Sequence, residues 1–286
     1  MNNPVIGILF ILCAGALLAT HDGFSKYLTA IYPLALVVWL RYSVQTVLMI
    51  VLFGPKMKLD LVRTKRPWLQ LLRGLCLLGI SGLFIGGLRY IPLAEATAVM
   101  FLAPLIVTVL SAIFLKEQIS LGQWVAVVIG LCGVLLVVRP GGALFTWAIL
   151  MPVAASFCFG SYQLIARRLA SFDHTVTSNF LSGLIGTIAL TAIMPFVSVE
   201  VQPAGWDLLF LLILGALGMV AHMLLTIALK YASAATLAPF TYGQIIFAAL
   251  IGVFAFDQSP DLLAWGGVAI IIGSGILVAW LQRRNA

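Results

Sequence analysis

Residues 88–104 read Leu-Arg-Tyr-Ile-Pro-Leu-Ala-Glu-Ala-Thr-Ala-Val-Met-Phe-Leu-Ala-Pro, a basic and aromatic turn opening into an apolar run. The stretch Leu229-Lys230-Tyr231-Ala232-Ser233-Ala234-Ala235, with Ala238-Pro239-Phe240 after it, follows the same plan 141 residues later. The same shift lays Ala94 on Ala235, Trp124 on Trp265 and Leu136-Val137 on Leu277-Val278. Lys26 then falls on Arg167, Leu28 on Leu169, Leu40 on Leu181 and Gly74 on Gly215. One ungapped shift thus sets a first unit, 1–140, upon a second, 141–286. Matches between two leucine-rich stretches are cheap, but an Arg/Lys-Tyr pair and an aligned Trp are not generic.

The chain has 286 residues, 63% apolar and 9% charged. Soluble domains run about 45–50% apolar and about 25% charged. So few charges disfavour soluble enzymes and nucleic-acid-binding domains, despite a net charge of +7. A membrane-crossing helix needs roughly 20 apolar residues. Apolar runs bounded by polar, Pro or Gly breaks predict spans at 5–27, 34–53, 69–88, 95–115, 121–138, 147–166, 175–196, 206–229, 234–256 and 262–281. These leave no room for a separate soluble domain. The start, Met1-Asn2-Asn3-Pro4, lacks the basic segment of a secretory signal, so an uncleaved first span is expected. The four cysteines, Cys13, Cys76, Cys132 and Cys158, lie in apolar runs with no CxxC pair, so neither a metal site nor a disulfide framework is expected.

Five spans per unit is an odd number, so the second unit must enter the membrane in the opposite sense. Inverted repeats of this kind mark transporters whose substrate site lies near the midplane, between the halves. Ten spans place both termini on one face. That face collects Lys56, Lys58, Arg63, Lys65, Arg66, Arg73, Lys116, Arg167, Arg168, Lys230, Arg283 and Arg284. The other receives only Lys26, Arg41, Arg89 and Arg139. The asymmetry predicts cytoplasmic termini in a bacterial-type inner membrane. The basic charge would then meet the anionic leaflet rather than nucleic acid.

Ionisable groups inside spans are costly and usually functional. His21, Asp22 and Lys26 share the first span, with Asp22 and Lys26 on one helix face. Arg41 begins the second span and Glu95 the fourth. Expected pairs are Asp22 with Lys26 or Arg41, and Glu95 with Lys26 or Arg89. A structural ion-pair cap, an outer gate and a proton-coupled carboxylate are the readings open to them. Deeper polar groups suit a mostly apolar pocket: His222 and Thr226 on the eighth span, Thr241, Tyr242 and Gln244 on the ninth, and Tyr162 and Gln163 on the sixth. Tyr162 and Gln163 stand one shift from His21 and Asp22. The alternative for such residues is helix-to-helix hydrogen bonding. Glycines of the third and tenth spans fit close packing, and Pro104 and Pro239 invite kinks. No GxxxxGK[ST], HExxH or GxSxG pattern occurs. No catalytic residue, metal or cofactor is expected.

Tyr90–Ala98, Phe101-Leu102-Ala103-Pro104 and Leu115-Lys116-Glu117 resemble the signature of the EamA family, within the drug/metabolite transporter superfamily. Val38–Tyr42, Gly130–Val134 and the second copy near Tyr231 and Pro239 are similar to it as well. One departure is Asp257-Gln258, where the family usually ends the ninth span with Gly-Glu. The resemblance implies an all-α membrane protein of ten helices in two inverted five-helix repeats. It implies a cavity lined mainly by spans one, three, four, six, eight and nine. It does not fix the cargo, since relatives carry amino acids, riboflavin, S-adenosylmethionine and other metabolites. The expected function is secondary transport of a small organic metabolite by alternating access, with uptake of a vitamin or nucleotide-like compound favoured over export of amino acids or other metabolites. A channel or scaffold and an intramembrane enzyme are more distant readings. The partners implied are the substrate and the lipid bilayer; monomer and homodimer are left open.

Overall fold

The computed structural model describes residues 4–114, 120–138, 146–169, 172–200, 202–228, 231, 237 and 240–284. All regular elements among them are helical. With no water in a bilayer core, each backbone N–H and C=O must bond within its own segment, and a helix achieves this locally. The helices are α1 (Pro4–Ile31), α2 (Leu34–Met57), α3 (Pro67–Ile80), α4 (Leu93–Met100), α5 (Ala103–Phe114) and α6 (Leu121–Val138). They continue as α7 (Leu150–Leu169), α8 (Thr175–Ile193), α9 (Gly205–Ala228), α10 (Gly243–Phe256) and α11 (Leu262–Arg284). Among the described residues, six segments are long and apolar enough to cross a membrane: Val5–Ile31, Leu34–Leu61, Pro67–Leu88, Trp147–Ala166, Thr175–Phe196 and Gly205–Leu225. Leu93–Val107, Leu121–Val137, Gly243–Phe256 and Leu262–Val278 are shorter apolar helices. Each of these segments falls on one of the predicted spans.

Two spans depart from a simple rod. The fourth is broken by a turn at Phe101 and Leu102. Pro104 follows, and without an N–H it cannot bond the carbonyl one turn back. In the third, α3 runs into a π-turn at Ser81–Ile85 before a last turn at Gly86–Leu88. The segments around Lys116-Glu117, Arg139–Gly142, Lys230 and Pro239 lie outside the described residues.

Helix α1 packs on α9 and α10, α3 on α7 and α8, α2 on α8 and α9, and α6 on α11. Small residues set the close approaches. A Cβ on Gly74 would stand 2.7 Å from the Ile185 side chain, and one on Gly215 2.7 Å from both the Val44 side chain and the Arg41 carbonyl oxygen. Between α2 and α8, Thr46 Oγ1 meets Thr187 Oγ1 at 3.2 Å.

Polar ties hold the two ends. Tyr27 and Tyr32 donate to the Asp207 carboxylate at 3.1 and 2.8 Å, joining the α1–α2 turn to the start of α9. At the opposite end Asp173, between α7 and α8, accepts from Thr64 Oγ1, from Lys65 N at 2.9 Å and from Gln70 Nε2 at 2.8 Å. These ties join turns that an alternating chain path assigns to the same face.

Partial burial pushes the Asp173 carboxyl up, but the hydrogen bonds from Lys65 N, Thr64 and Gln70, with the Lys65 charge, outweigh it and hold the group below its usual range. A depressed folded-state pKa adds stability above the unfolded value of about 3.9, and that stability is lost as pH falls through the folded value. In detergent melts Asp173→Asn is therefore expected to unfold at lower temperature than wild type at pH 7. The gap should close below about pH 4; a gap constant with pH would contradict this. Gly215→Ala is expected to cost about 1–3 kcal/mol and more than Gly74→Ala, because a backbone carbonyl yields less than an isoleucine side chain. Equal midpoints in chemical denaturation would refute that order.

Candidate functional site

Helix α1 delivers His21 and Asp22 into the interior, and the rise of α2 delivers Arg41. All three are at most 5% exposed. Arg41 Nε donates to His21 Nε2 at 2.9 Å. A guanidinium has no acceptor to offer, so His21 Nε2 carries a lone pair and Nδ1 carries the proton. That proton points at Asp22 Oδ1, 2.9 Å away. Gln244 Nε2, on α10, donates to Asp22 Oδ2 at 3.2 Å. On its other side Arg41 Nη1 donates to Ser81 Oγ at 2.8 Å. Ser81 opens the π-turn, and its hydroxyl and that of Tyr42, 2.7 Å apart, both bond the Leu77 carbonyl. π-turns inside helices are frequent at functional sites. One chain of hydrogen bonds thus runs from α10 through α1 and α2 to α3.

The expected partner of Asp22 is corrected here. Its carboxylate takes His21 and Gln244, not Lys26 or Arg41. Lys26 lies a turn further along and caps the end of the third span, Nζ donating to the carbonyls of Leu88 at 2.5 Å and Ile91 at 2.8 Å. A cation on the last carbonyls of a helix is favoured by the helix dipole. Lys26 also lies within electrostatic reach of Glu95, and Arg89 is exposed.

The deeper residues divide. Tyr162 is buried on α7 and its hydroxyl accepts from Arg73 Nη2 at 2.5 Å. His222 on α9 lies within electrostatic reach of Arg41, Arg73 and His21. With Gln244 these join the polar interior. Gln163 is exposed on the outer side of α7. Tyr242 belongs to the main apolar core, its ring 5.1 Å from that of Phe101 and its hydroxyl seated over Gly275. Thr241 is half-buried beside it. The side chain of Thr226 lies outside the described residues. No cluster of three metal-ligating side chains occurs among the described residues.

Sequence reasoning missed Arg73. Six residues into α3, it reads as an end-of-span arginine reaching for water, yet it is 4% exposed. Besides Tyr162 it donates to Ser182 Oγ at 2.7 Å, to Asn179 Oδ1 at 2.9 Å and to the Ser178 carbonyl. The signal available was positional: its partner Tyr162 stands one shift from His21, the partner of Arg41.

The model of the EamA-like transporter family matches residues 5–139 and again 146–280. The chain belongs to this family. It is therefore a multi-pass integral membrane protein of a transporter family. It is 26% identical to the S-adenosylmethionine uptake transporter of Rickettsia bellii over 98% of this chain and 95% of that one. Its identity to the riboflavin transporter of Vibrio cholerae is 28%, over 99% of this chain and 96% of that one. A crystal structure with 22% identity shares the fold at a TM-score of 0.66, covering 98% of this chain and 97% of its own.

In this EamA-family protein Arg41 bridges His21 and Ser81 through two separate nitrogens, which a lysine cannot reproduce. Arg41→Lys is expected to lower initial transport rates about 10–100-fold, the worth of a hydrogen bond to a charged group. The protein should still elute as folded in detergent gel filtration. Wild-type rates in the folded variant would refute a role for the bridge.

Proposed function

We propose that this protein is a secondary transporter that takes up a small organic metabolite by alternating access. The cargo is of the class named for its relatives, S-adenosylmethionine or a vitamin such as riboflavin. The observation that carries the reading is the buried hydrogen-bonded chain Gln244–Asp22–His21–Arg41–Ser81. It ties an element of the second unit to three of the first, so charge sits where the two meet. Charges held at such depth are expensive and serve pathways or coupling.

The full architecture proposed is ten helices in two inverted repeats, 1–140 and 141–286. Three findings support it. The family model matches twice. Thr46 and Thr187, related by the 141-residue shift, touch each other, as residues on a two-fold axis do. Gly74 against Ile185 is mirrored by Gly215 against Val44, both residues moved by that shift. The basic asymmetry between faces supports an inner-membrane protein with both helix ends, of α1 and α11, on the cytoplasmic side. Neither catalysis nor nucleic-acid binding enters this reading.

Asp22 accepts from both His21 and Gln244, so a proton on it would weaken the α1–α10 junction and couple protonation to rocking. His21, Lys26, Arg41 and Glu95 form the remainder of the gate, with His222, Tyr162 and Gln244 the pocket residues nearest the network.

In proteoliposomes, saturable uptake of labelled S-adenosylmethionine or riboflavin with trans-stimulation is expected. Asp22→Asn should abolish gradient-driven accumulation and spare exchange. Accumulation unchanged in the variant would end the coupling role of Asp22. Failure of the wild type to move any member of a broad metabolite panel would sink the transport reading itself.

A further inference from the structure

The interior holds two guanidinium–ring pairs. In one, Arg41 bonds His21; in the other, Arg73 bonds Tyr162 and lies over its ring, 4.4 Å from the centroid. His21 and Tyr162 are equivalent positions of the two units, one shift apart. The pairs differ in their counter-charge. The first is completed by Asp22, which accepts from His21. One shift from Asp22 stands Gln163, neutral and exposed on the outer side of α7. Arg73 therefore has only neutral acceptors: Ser182 Oγ, Tyr162 OH, Asn179 Oδ1 and the Ser178 carbonyl. Its Nε has no hydrogen-bond partner, and no carboxylate lies within 4.0 Å of it among the described residues.

The wider balance points the same way. Among the described residues the buried basic side chains are Lys26, Arg41 and Arg73, and the buried carboxylates are Asp22 and Glu95. Glu95 lies within electrostatic reach of Lys26, and Asp22 is reached from Arg41 through His21. Arg73 is the cation left over. A buried guanidinium without an anion is costly, and an anion restores the balance. With both Nη groups engaged, the one open donor is Nε–H, which can give a carboxylate a charge-assisted hydrogen bond. Arg73 is on a helix of the first unit and all four acceptors are on α7 and α8 of the second, so the guanidinium itself lies where the halves meet.

We propose that Arg73 is the docking cation for a carboxylate carried by the transported metabolite, which completes the second guanidinium–ring pair as Asp22 completes the first. This rests on the transport reading above and narrows it: S-adenosylmethionine bears a carboxylate, whereas riboflavin is neutral.

The test measures competition for S-adenosylmethionine uptake in proteoliposomes by S-adenosylmethionine and by its decarboxylated analogue, and direct uptake of riboflavin. Wild type is expected to prefer the carboxylate form by about 10–100-fold, the range for a charge-assisted contact. In Arg73→Gln that preference should fall to within about twofold, and Arg73→Lys, which keeps the charge without the Nε–H, should fall between. The preference is a ratio within one preparation, so it does not depend on how much variant folds. If Arg73→Gln does not yield transporting protein, Arg73→Lys and the wild-type analogue ratio decide. Equal competition by the two compounds in wild type, an undiminished preference in either variant, or transport of riboflavin without S-adenosylmethionine would each overturn the proposal and leave the transport reading standing. Transport confined to neutral members of the panel would remove this proposal alone, and transport of no member would remove both.

Discussion

A bilayer core offers no hydrogen-bond partner, and that constraint organises the molecule. It makes every spanning segment helical, because only a helix bonds its own backbone. It also makes each polar side chain left in the interior a matter of geometry. The buried groups of α1, α2 and α3 meet it by bonding one another, with Arg41 at the hub between His21 and Ser81. The guanidinium never gives up its charge, so it dictates the tautomer of His21 and hence the proton offered to Asp22.

Close packing follows from the same constraint. Lipid tails are as apolar as leucine, so helices associate through small residues that let backbones approach. Gly74 and Gly215 seat Ile185 and Val44, and the Arg41 carbonyl rests against Gly215. The glycine that admits α2 to α9 thus also sets the height at which Arg41 enters the interior. Packing and electrostatics are joined at that residue, and a change at Gly215 reaches the hydrogen-bonded chain without touching it.

The two ends are held differently from the middle. Asp207, with donors from Tyr27 and Tyr32, and Asp173, with donors from Thr64, Lys65 and Gln70, are carboxylates each held on both oxygens. Such ties resist relative sliding of the turns they join. The interior chain has mixed character: Asp22 is shared between α1 and α10, and Arg73 has a nitrogen still open.

The sequence by itself determined the helical class, the positions of the apolar segments and the list of ionisable groups inside them. Apolar run length and charge scarcity are properties of composition along the chain, and the lipid reads them directly. It did not determine the partners. Asp22 and Lys26 lie a turn apart on one helix, yet Lys26 reaches the carbonyls closing the third span and Asp22 finds Gln244 from α10. Nor did it distinguish Arg73 from an arginine snorkelling to the interface, since both occupy the same place in a hydropathy pattern. Tyr242 and His222 read alike as deep polar groups, but packing sent one into the apolar core over Gly275 and left the other half-buried on α9. Which side chains meet depends on the rotation and height of each helix against its neighbours. Those are set by glycine contacts and a π-turn between segments distant in the chain, and only the tertiary structure decided them.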